Sequence, residues 1–424
     1  MKFLTNAEKL KSTRKLLKMN QEDLVDENLT RGLISMIEIG KRQISTEVAL
    51  KLFEKFKLRA KTLNMELNID NGFLLRSPSE DAELFCLKKL EEINQDTDIE
   101  DILEIANNFN LLNVKAIAYS SLGEYYFAEK HYSKAFINYT YSIDTFKNIQ
   151  QNETIPYLYM KIGYCNTLLL QYTEALTFFN ISQRYSIMYN DKDIEKKAIY
   201  NIATCYMKLN EFNLALENIK KFILLCDKVE DYDTYLNANI FKASCYEALK
   251  DFNTAIKIYN SLTNENTECN NPVFGFIYNN LGLAYLNKND FNNSLEYFNI
   301  AEQLRIKVDP ANLSHTIIDK SSVFIKQGLY NDAQAMINSV LKQAESNMDY
   351  EYLIKGNYQL THIYEIQNNI LNLKKTYLNI IELLKLENKN SELVSVYIKM
   401  SLIYLDENNI EQAKKYLLLS LELL

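Results

Sequence analysis

Glycine and proline are scarce: 9 Gly and 4 Pro among 424 residues leave little of the punctuation that hairpins and short strands require. A β-rich fold is excluded. No apolar run approaches the roughly 18 residues that would span a membrane. The first twenty residues carry Lys2, Lys9, Lys11, Arg14, Lys15 and Lys18 with no long apolar stretch, so no secretory signal and a cytoplasmic location are expected. The six cysteines (Cys86, Cys165, Cys205, Cys226, Cys245, Cys269) include no C-x-x-C pair, which argues against a zinc ribbon or redox motif and for reduced, buried thiols. Phosphate-loop, dinucleotide, H-E-x-x-H and calcium-loop patterns are all missing, and His131, His315 and His362 are scattered. Catalysis, a cofactor and a bound metal are not expected.

Hydrophobic residues at 47% and charged residues at 24% fit a folded globular chain. The length suits two or three domains, or one long repeat array. Charge is uneven. Residues 1–60 hold 13 Lys+Arg against 8 Asp+Glu, a local +5 that leaves −13 for residues 61–424 out of the overall −8. A basic head on an acidic body suits a small nucleic-acid-binding module joined to a larger domain that does not bind nucleic acid.

The body repeats. A small or polar residue recurs at Gly123, Gly163, Ala203, Ala243, Gly282, Ser321, Thr361 and Ser401, at spacings of 39 or 40. Three residues after each comes an aromatic in all but one unit (Tyr126, Tyr206, Tyr246, Tyr285, Phe324, Tyr364, Tyr404; Asn166 is the exception). Twelve after each comes Ala135, Ala175, Ala215, Ala255, Ser294, Ala333, Leu373 or Ala413. The pattern predicts helix pairs in which the small residue lets a second helix approach, the aromatic fills the adjoining hole and the Ala receives the first helix in return. Pro156, Pro272 and Pro310 fall at or just before first helices, where a missing N–H costs nothing. Cys165, Cys205 and Cys245 share one repeat position, so stacking holds them a helix-packing distance apart and core packing is expected.

The segments Leu122-Gly123-Glu124-Tyr125-Tyr126 and Leu281-Gly282-Leu283-Ala284-Tyr285 resemble the L-G-x-x-Y core of the tetratricopeptide repeat. The resemblance covers roughly residues 116–424 and implies a right-handed α-solenoid. The 39 to 40-residue period implies helices or connections longer than that family's usual ones. A weaker helix pair at 80–112 is expected to begin the stack.

At the N-terminus, Asn20 is the expected cap of a helix starting Gln21-Glu22-Asp23, with Asp23 in the capping-box position. The stretch Leu29 to Arg42 then resembles the recognition helix of a lambda-repressor/Cro-type helix-turn-helix, with Thr30 as N-cap and Gly40 as helix stop. Leu29, Ile34 and Ile37 face the core, leaving Thr30, Arg31, Gly32, Leu33 and Ser35 on the exposed first turns. The resemblance implies that this N-terminal part enters the major groove. Arg31 is then the candidate for a guanine, Gln21 for a phosphate, and Lys41 and Arg42 for phosphate neutralisation. Met36 and Ile39 depart from the basic or polar residues common there.

The expected organisation is all-α: a helix-turn-helix domain at 1–66, a linker at 67–80, and a repeat domain at 81–424 with about eight helix pairs and a degenerate first pair. This combination resembles the peptide-sensing quorum regulators of Gram-positive bacteria known collectively as the RRNPP family, the PlcR and NprR types among them. The resemblance implies a short signalling peptide held in the concave groove of the repeats and altered binding to double-stranded operator DNA. Two residues before each small position stands Ser121, Lys161, Asn201, Phe241, Asn280, Asp319, Gln359 or Lys399, polar in seven of eight units. An Asn amide there donates to and accepts from an extended peptide backbone. The candidate peptide residues are Lys161, Lys197, Tyr200, Asn201, Lys208, Asn237, Asn279 and Asn280. A second reading is a protein-interaction adaptor with the head as docking module. The last helix, near 410–424, is too broadly apolar for a capping helix, so a homodimer through the C-terminal repeats is expected.

Overall fold

The structure is a computed structural model and describes residues 2–27, 29–92, 96–264 and 271–423. Among the described residues the regular elements are α-helices and two short 3-10 turns. The chain divides into two compact units, Met1–Asn210 and Glu211–Leu424.

The first unit opens with α1 (Asn6–Leu16), fixed by a reciprocal capping box between Thr5 and Glu8. Helix α2 (Arg31–Glu38) is capped by Thr30 and α3 (Thr46–Thr62) by Ser45. The three close over a core of Leu10, Leu24, Leu29, Ile34, Leu52 and Phe56. Where the sequence predicts a helix from Gln21, there is only a 3-10 turn, Glu22–Leu24. The carbonyls of Leu24 and Val25, which would propagate a helix, accept instead from Lys55 Nζ at 2.7 and 3.0 Å. Asp23 does reach back to the Asn20 N–H, at 2.7 Å.

Residues 67–77 are irregular, as a linker would be, but they are fastened to the head. Leu74 is buried in its core. Lys9, also buried, donates to the carbonyls of Phe73 (3.0 Å) and Arg76 (2.6 Å) and pairs with Asp81. Burying an ammonium is tolerable because all of these acceptors converge on it. Ser77 and Glu80 cap α4 (Pro78–Glu92) reciprocally, and α5 (Asp96–Asn108) completes the degenerate pair. The pairs α6 (Leu112–Ala128) with α7 (Tyr132–Asn148) and α8 (Ile155–Leu168) with α9 (Tyr172–Met188) follow, then α10 (Lys192–Lys208).

The second unit contains α11 (Phe212–Leu224), α12 (Tyr232–Ala248), α13 (Phe252–Asn264), α14 (Val273–Asn287), α15 (Phe291–Val308), a 3-10 turn at Pro310–Asn312, α16 (Leu313–Lys326), α17 (Tyr330–Ser346), α18 (Tyr350–Ile366), α19 (Ile370–Leu386), α20 (Asn390–Asp406) and α21 (Ile410–Leu421). The fold is thus all-α with tetratricopeptide-like helix pairs in both units.

The long period has a simple origin. Most of the repeat helices run 17 residues, and the commonest connection between them is three residues long. The second residue of the connection is left-handed at many of these joints: Asn110, Lys130, Gln150, Leu170, Asn190 and Asn210 in the first unit have φ between 54 and 62°, and Asn368, Asn388 and Asn408 in the second repeat the feature. Each closes the helix with paired bonds, as where Lys130 N–H reaches Phe127 O and His131 N–H reaches Tyr126 O. Asn tolerates this conformation better than most residues. It takes the place that Gly often holds, which is why so few glycines suffice.

The expected packing changes in one respect. The ring that lies against the small residue comes from the second helix, sixteen positions on. A Cβ on Gly123 would sit 2.5 Å from the Tyr139 ring, on Gly163 2.5 Å from Phe179, and on Gly282 2.8 Å from Phe298. The aromatics three positions after the small residue, such as Tyr126 and Tyr285, are mostly half-buried, Tyr364 being buried. Two of the packed rings are tyrosines whose hydroxyls meet a first-helix glutamate: Tyr139 donates to Glu124 at 2.9 Å and Tyr377 to Glu365 at 2.8 Å.

Candidate functional site

On the head, α2 presents its N-terminal edge. Arg31 is exposed and its guanidinium lies 3.0 Å from the equally exposed Glu22 carboxylate. Gly32 has nothing within 4 Å of where a Cβ would stand. Thr30 is spent on capping, accepting from Leu33 N–H at 3.2 Å. Lys41 and Arg42 follow Gly40, which is left-handed at φ 74°, and both are exposed. Two candidates are placed otherwise than expected. Leu33 is half-buried against the head core, because its position on the short helix turns it toward α2's apolar side. Ser35 is half-buried too.

Gln21 is not a free phosphate anchor. Its amide donates to Glu38 Oε2 at 2.8 Å, and Arg14 holds the other Glu38 oxygen at 2.6 Å while binding Met19 O at 2.7 Å. Burial alone would raise the Glu38 pKa, but these hydrogen bonds and the Arg14 charge outweigh it and hold the carboxyl below its ordinary range. Gln21 therefore ties the 3-10 turn to α2 rather than reaching outward.

In the first unit, Lys197, Asn201 and Lys208 fall on one stripe of α10 by helical spacing. Lys197 and Lys208 are exposed, Tyr200 and Asn201 half-buried. Asn201 uses both amide protons, on Tyr164 Oη at 3.0 Å and Lys197 O at 2.8 Å. On the α8 stripe, Lys161 pairs with Glu124 at 2.7 Å and lies 4.3 Å from the Phe127 ring centroid. Glu124 also accepts from Tyr157 at 2.8 Å. These contacts share a register: the residue after one small position meets the residue two before the next. In the second unit Gln359 obeys it, donating to Ser322 Oγ at 2.7 Å.

Also in the second unit, Asn237 is exposed and Asn280 half-buried. Asn279 is buried, not groove-facing, because its amide donates to the fully buried Asp319 at 2.8 Å. The candidate peptide residues include none on α16, α18 and α20, although Asp319, Gln359 and Lys399 of the polar row lie there, and these helices form an open groove of about 570 Å³. Its apolar lining includes Ile325, Ile354 and Tyr358. Its charged lining is Lys326, Lys355, Lys389, Glu351 and Glu392, with His362. Lys326 and Lys355 on the helices and Lys389 at the α20 N-cap were the available signal, lost among the chain's many lysines.

Cys86, Cys165, Cys205 and Cys245 are buried, and burial pushes the Cys165 thiol up to about 12 and the Cys205 thiol up to about 11. Such thiols stay protonated and inert. Cys226 is half-buried and donates to Phe222 O; Cys269 lies outside the described residues. Among the described residues no helix is long and apolar enough to cross a membrane.

The repeats belong to a recognisable class. A tetratricopeptide repeat family model matches residues 277–305 and 394–423. Among solved structures, the apo form of the quorum sensor NprR from B. thuringiensis shares the fold, with 18% identity over 81% of this chain and 98% of that one and a TM-score of 0.51. NprR in complex with its cognate peptide NprX matches at 17% identity over 81% of this chain and 97% of that one, TM-score 0.43. A Rap protein complexed with Competence and Sporulation Factor matches at 13% identity over 99% and 97%, TM-score 0.40.

Proposed function

We propose that the chain is a cytoplasmic transcriptional regulator of the RRNPP kind, whose repeats bind a short signalling peptide and whose head reads operator DNA. The observation that carries the reading is the α2 N-terminus. There Arg31 projects into solvent next to Gly32, where no side chain obstructs close approach of the backbone, the arrangement a major-groove reader requires. The polar stripes of the first helices support peptide binding, since an extended peptide needs donors and acceptors along its length. The likeness to NprR supplies the fold; peptide sensing in this chain rests on the stripes.

The C-terminal helices leave Leu402, Leu405, Leu417, Leu418 and Leu421 exposed. An apolar patch of this kind calls for a partner surface. A second copy supplies it as a two-fold dimer that also places two heads on two half-sites.

One feature favours the adaptor reading: Met36 on α2 and Ile39 at its C-cap are exposed, where a protein partner would find apolar contact. Gel shifts with genomic operator fragments separate the two. The regulator binds selected fragments with strong salt dependence. Arg31→Ala then costs about 1–3 kcal/mol and relaxes one operator position, whereas Lys41→Ala weakens all sequences alike. Absence of sequence-selective binding, with and without a peptide extract of the host, rejects the regulator and leaves the adaptor.

A further inference from the structure

We infer that the groove between α16, α18 and α20 is a carboxylate subsite. An acidic side chain or the free C-terminus of a short peptide seats against Lys355, with a neighbouring apolar side chain against Ile325, Ile354 and Tyr358. The inference rests on the peptide-binding reading and goes beyond it in naming a place and a chemistry.

Lys355 carries the argument. Its ammonium lies 2.5 Å from Asp319 Oδ1, and the second Asp319 oxygen takes the Asn279 amide at 2.8 Å. Asp319 is fully buried, whereas the Lys355 side chain is 42% exposed and lines the groove. A buried carboxylate without a partner is strongly unfavourable, so the lysine is held where it stands. The Tyr352 ring, 4.9 Å from Nζ, confines it further. An ammonium has three donors, and Asp319 Oδ1 engages one side of it. Asp319 and Asn279 are thus positioning residues for a cation whose freedom is already restricted before a ligand arrives, which lowers the ordering cost of binding.

Two further ammonium groups line the groove. Lys389 stands at the N-cap of α20, and Lys326 donates to Leu286 O at 3.0 Å. The two acids of the groove, Glu351 and Glu392, lie in the first turns of α18 and α20, where a carboxylate complements the helix dipole. Lys355 and Asp319 lie inside their helices, with no such terminal role.

The test incubates full-length protein with a random hexapeptide pool, in free-acid and C-terminally amidated forms, and identifies retained peptides by mass spectrometry. The parent protein should retain peptides carrying a carboxylate at least about tenfold over neutral amidated ones, as one charge-assisted hydrogen bond implies. A preference that disappears on amidation assigns the C-terminus; one that persists and follows Asp or Glu assigns a side chain. Either supports the subsite. Lys355→Met should lose the preference. Because that variant leaves Asp319 without its lysine, Asp319→Asn/Lys355→Met removes both charges, should melt above the single variant, and should also lose it. Peptides retained without acid preference, or a preference unchanged in the double variant, overturn the subsite and leave peptide sensing standing. No retention of any peptide overturns both.

Discussion

Glu247 offers a sharp test of how burial governs this solenoid. It lies on α12, its Oε1 is buried without a hydrogen-bond partner, and burial pushes the carboxyl from its ordinary 4.5 up to about 7, with Tyr259 opposing. The equivalent Glu365 on α18 is exposed and takes the Tyr377 hydroxyl at 2.8 Å. Between about pH 4.5 and 7 the folded chain therefore holds a proton that the unfolded chain has released. Stability contributed by the neutral carboxyl is full below pH 4.5, falls as pH rises through about 7, and is flat above. At ~1.4 kcal/mol per pH unit the loss is about 3 kcal/mol. Glu247→Gln keeps the shape and removes the titration. Hydrogen exchange of the full chain, followed by mass spectrometry on peptides from α12 and α13, reads the local stability at matched pH. The variant should match the parent near pH 5 and exceed it by about 3 kcal/mol near pH 8. Equal protection at both values would refute a buried, neutral Glu247.

Gly163→Ala should destabilise by about 1–2 kcal/mol in urea unfolding, since about 1 kcal/mol of helix propensity is outweighed by a methyl placed 2.5 Å from the buried Phe179 ring; Gly163→Ala/Phe179→Leu should recover part of it, and an unchanged midpoint for the single variant would reject the close approach. Leu170 is left-handed at φ 62° and 72% exposed, so Leu170→Asn should raise the melting temperature by the equivalent of about 0.5–1 kcal/mol; a fall would mean that the exposed leucine packs against something. Leu417→Glu/Leu421→Glu should convert a dimer to a monomer in light scattering, and a parent that is monomeric at micromolar concentration would reject the C-terminal interface.

The helix pairs were legible because their signal is local and repeated. Gly123, Gly163 and Gly282, in the register of the 39 to 40-residue repeat, mark places where only a missing side chain permits the approach, and the prolines mark starts. The turns were less legible. Glycine does not mark them, because the turn residue here is often Asn, as at Asn190, Asn210, Asn368 and Asn388. An Asn in such a place reads as an ordinary polar residue unless its spacing is compared with that of the helices. The head's second helix was misread for a related reason. Its caps are present in the sequence, but Lys55, about thirty residues further on, takes the carbonyls that the helix needed.

The candidate site was partly legible because helical spacing identifies a stripe, not what the stripe touches. Lys161, Asn201 and Gln359 do occupy one register, and each is already engaged by a residue 37 positions earlier. The residues of this row that tie one repeat to the next have fewer groups left for a ligand, whereas the candidates Lys197, Lys208 and Asn237 stay exposed. Asn201 keeps only its amide oxygen. Lys355 is held by a single buried carboxylate at one end of its ammonium, in a groove open at the other. The positions best able to bind are therefore those where repeat-to-repeat contacts restrain a side chain without satisfying it. Such positions depend on a partner like Asp319 that is polar, buried and 36 residues away, and no local pattern in the sequence distinguishes it from an exposed aspartate.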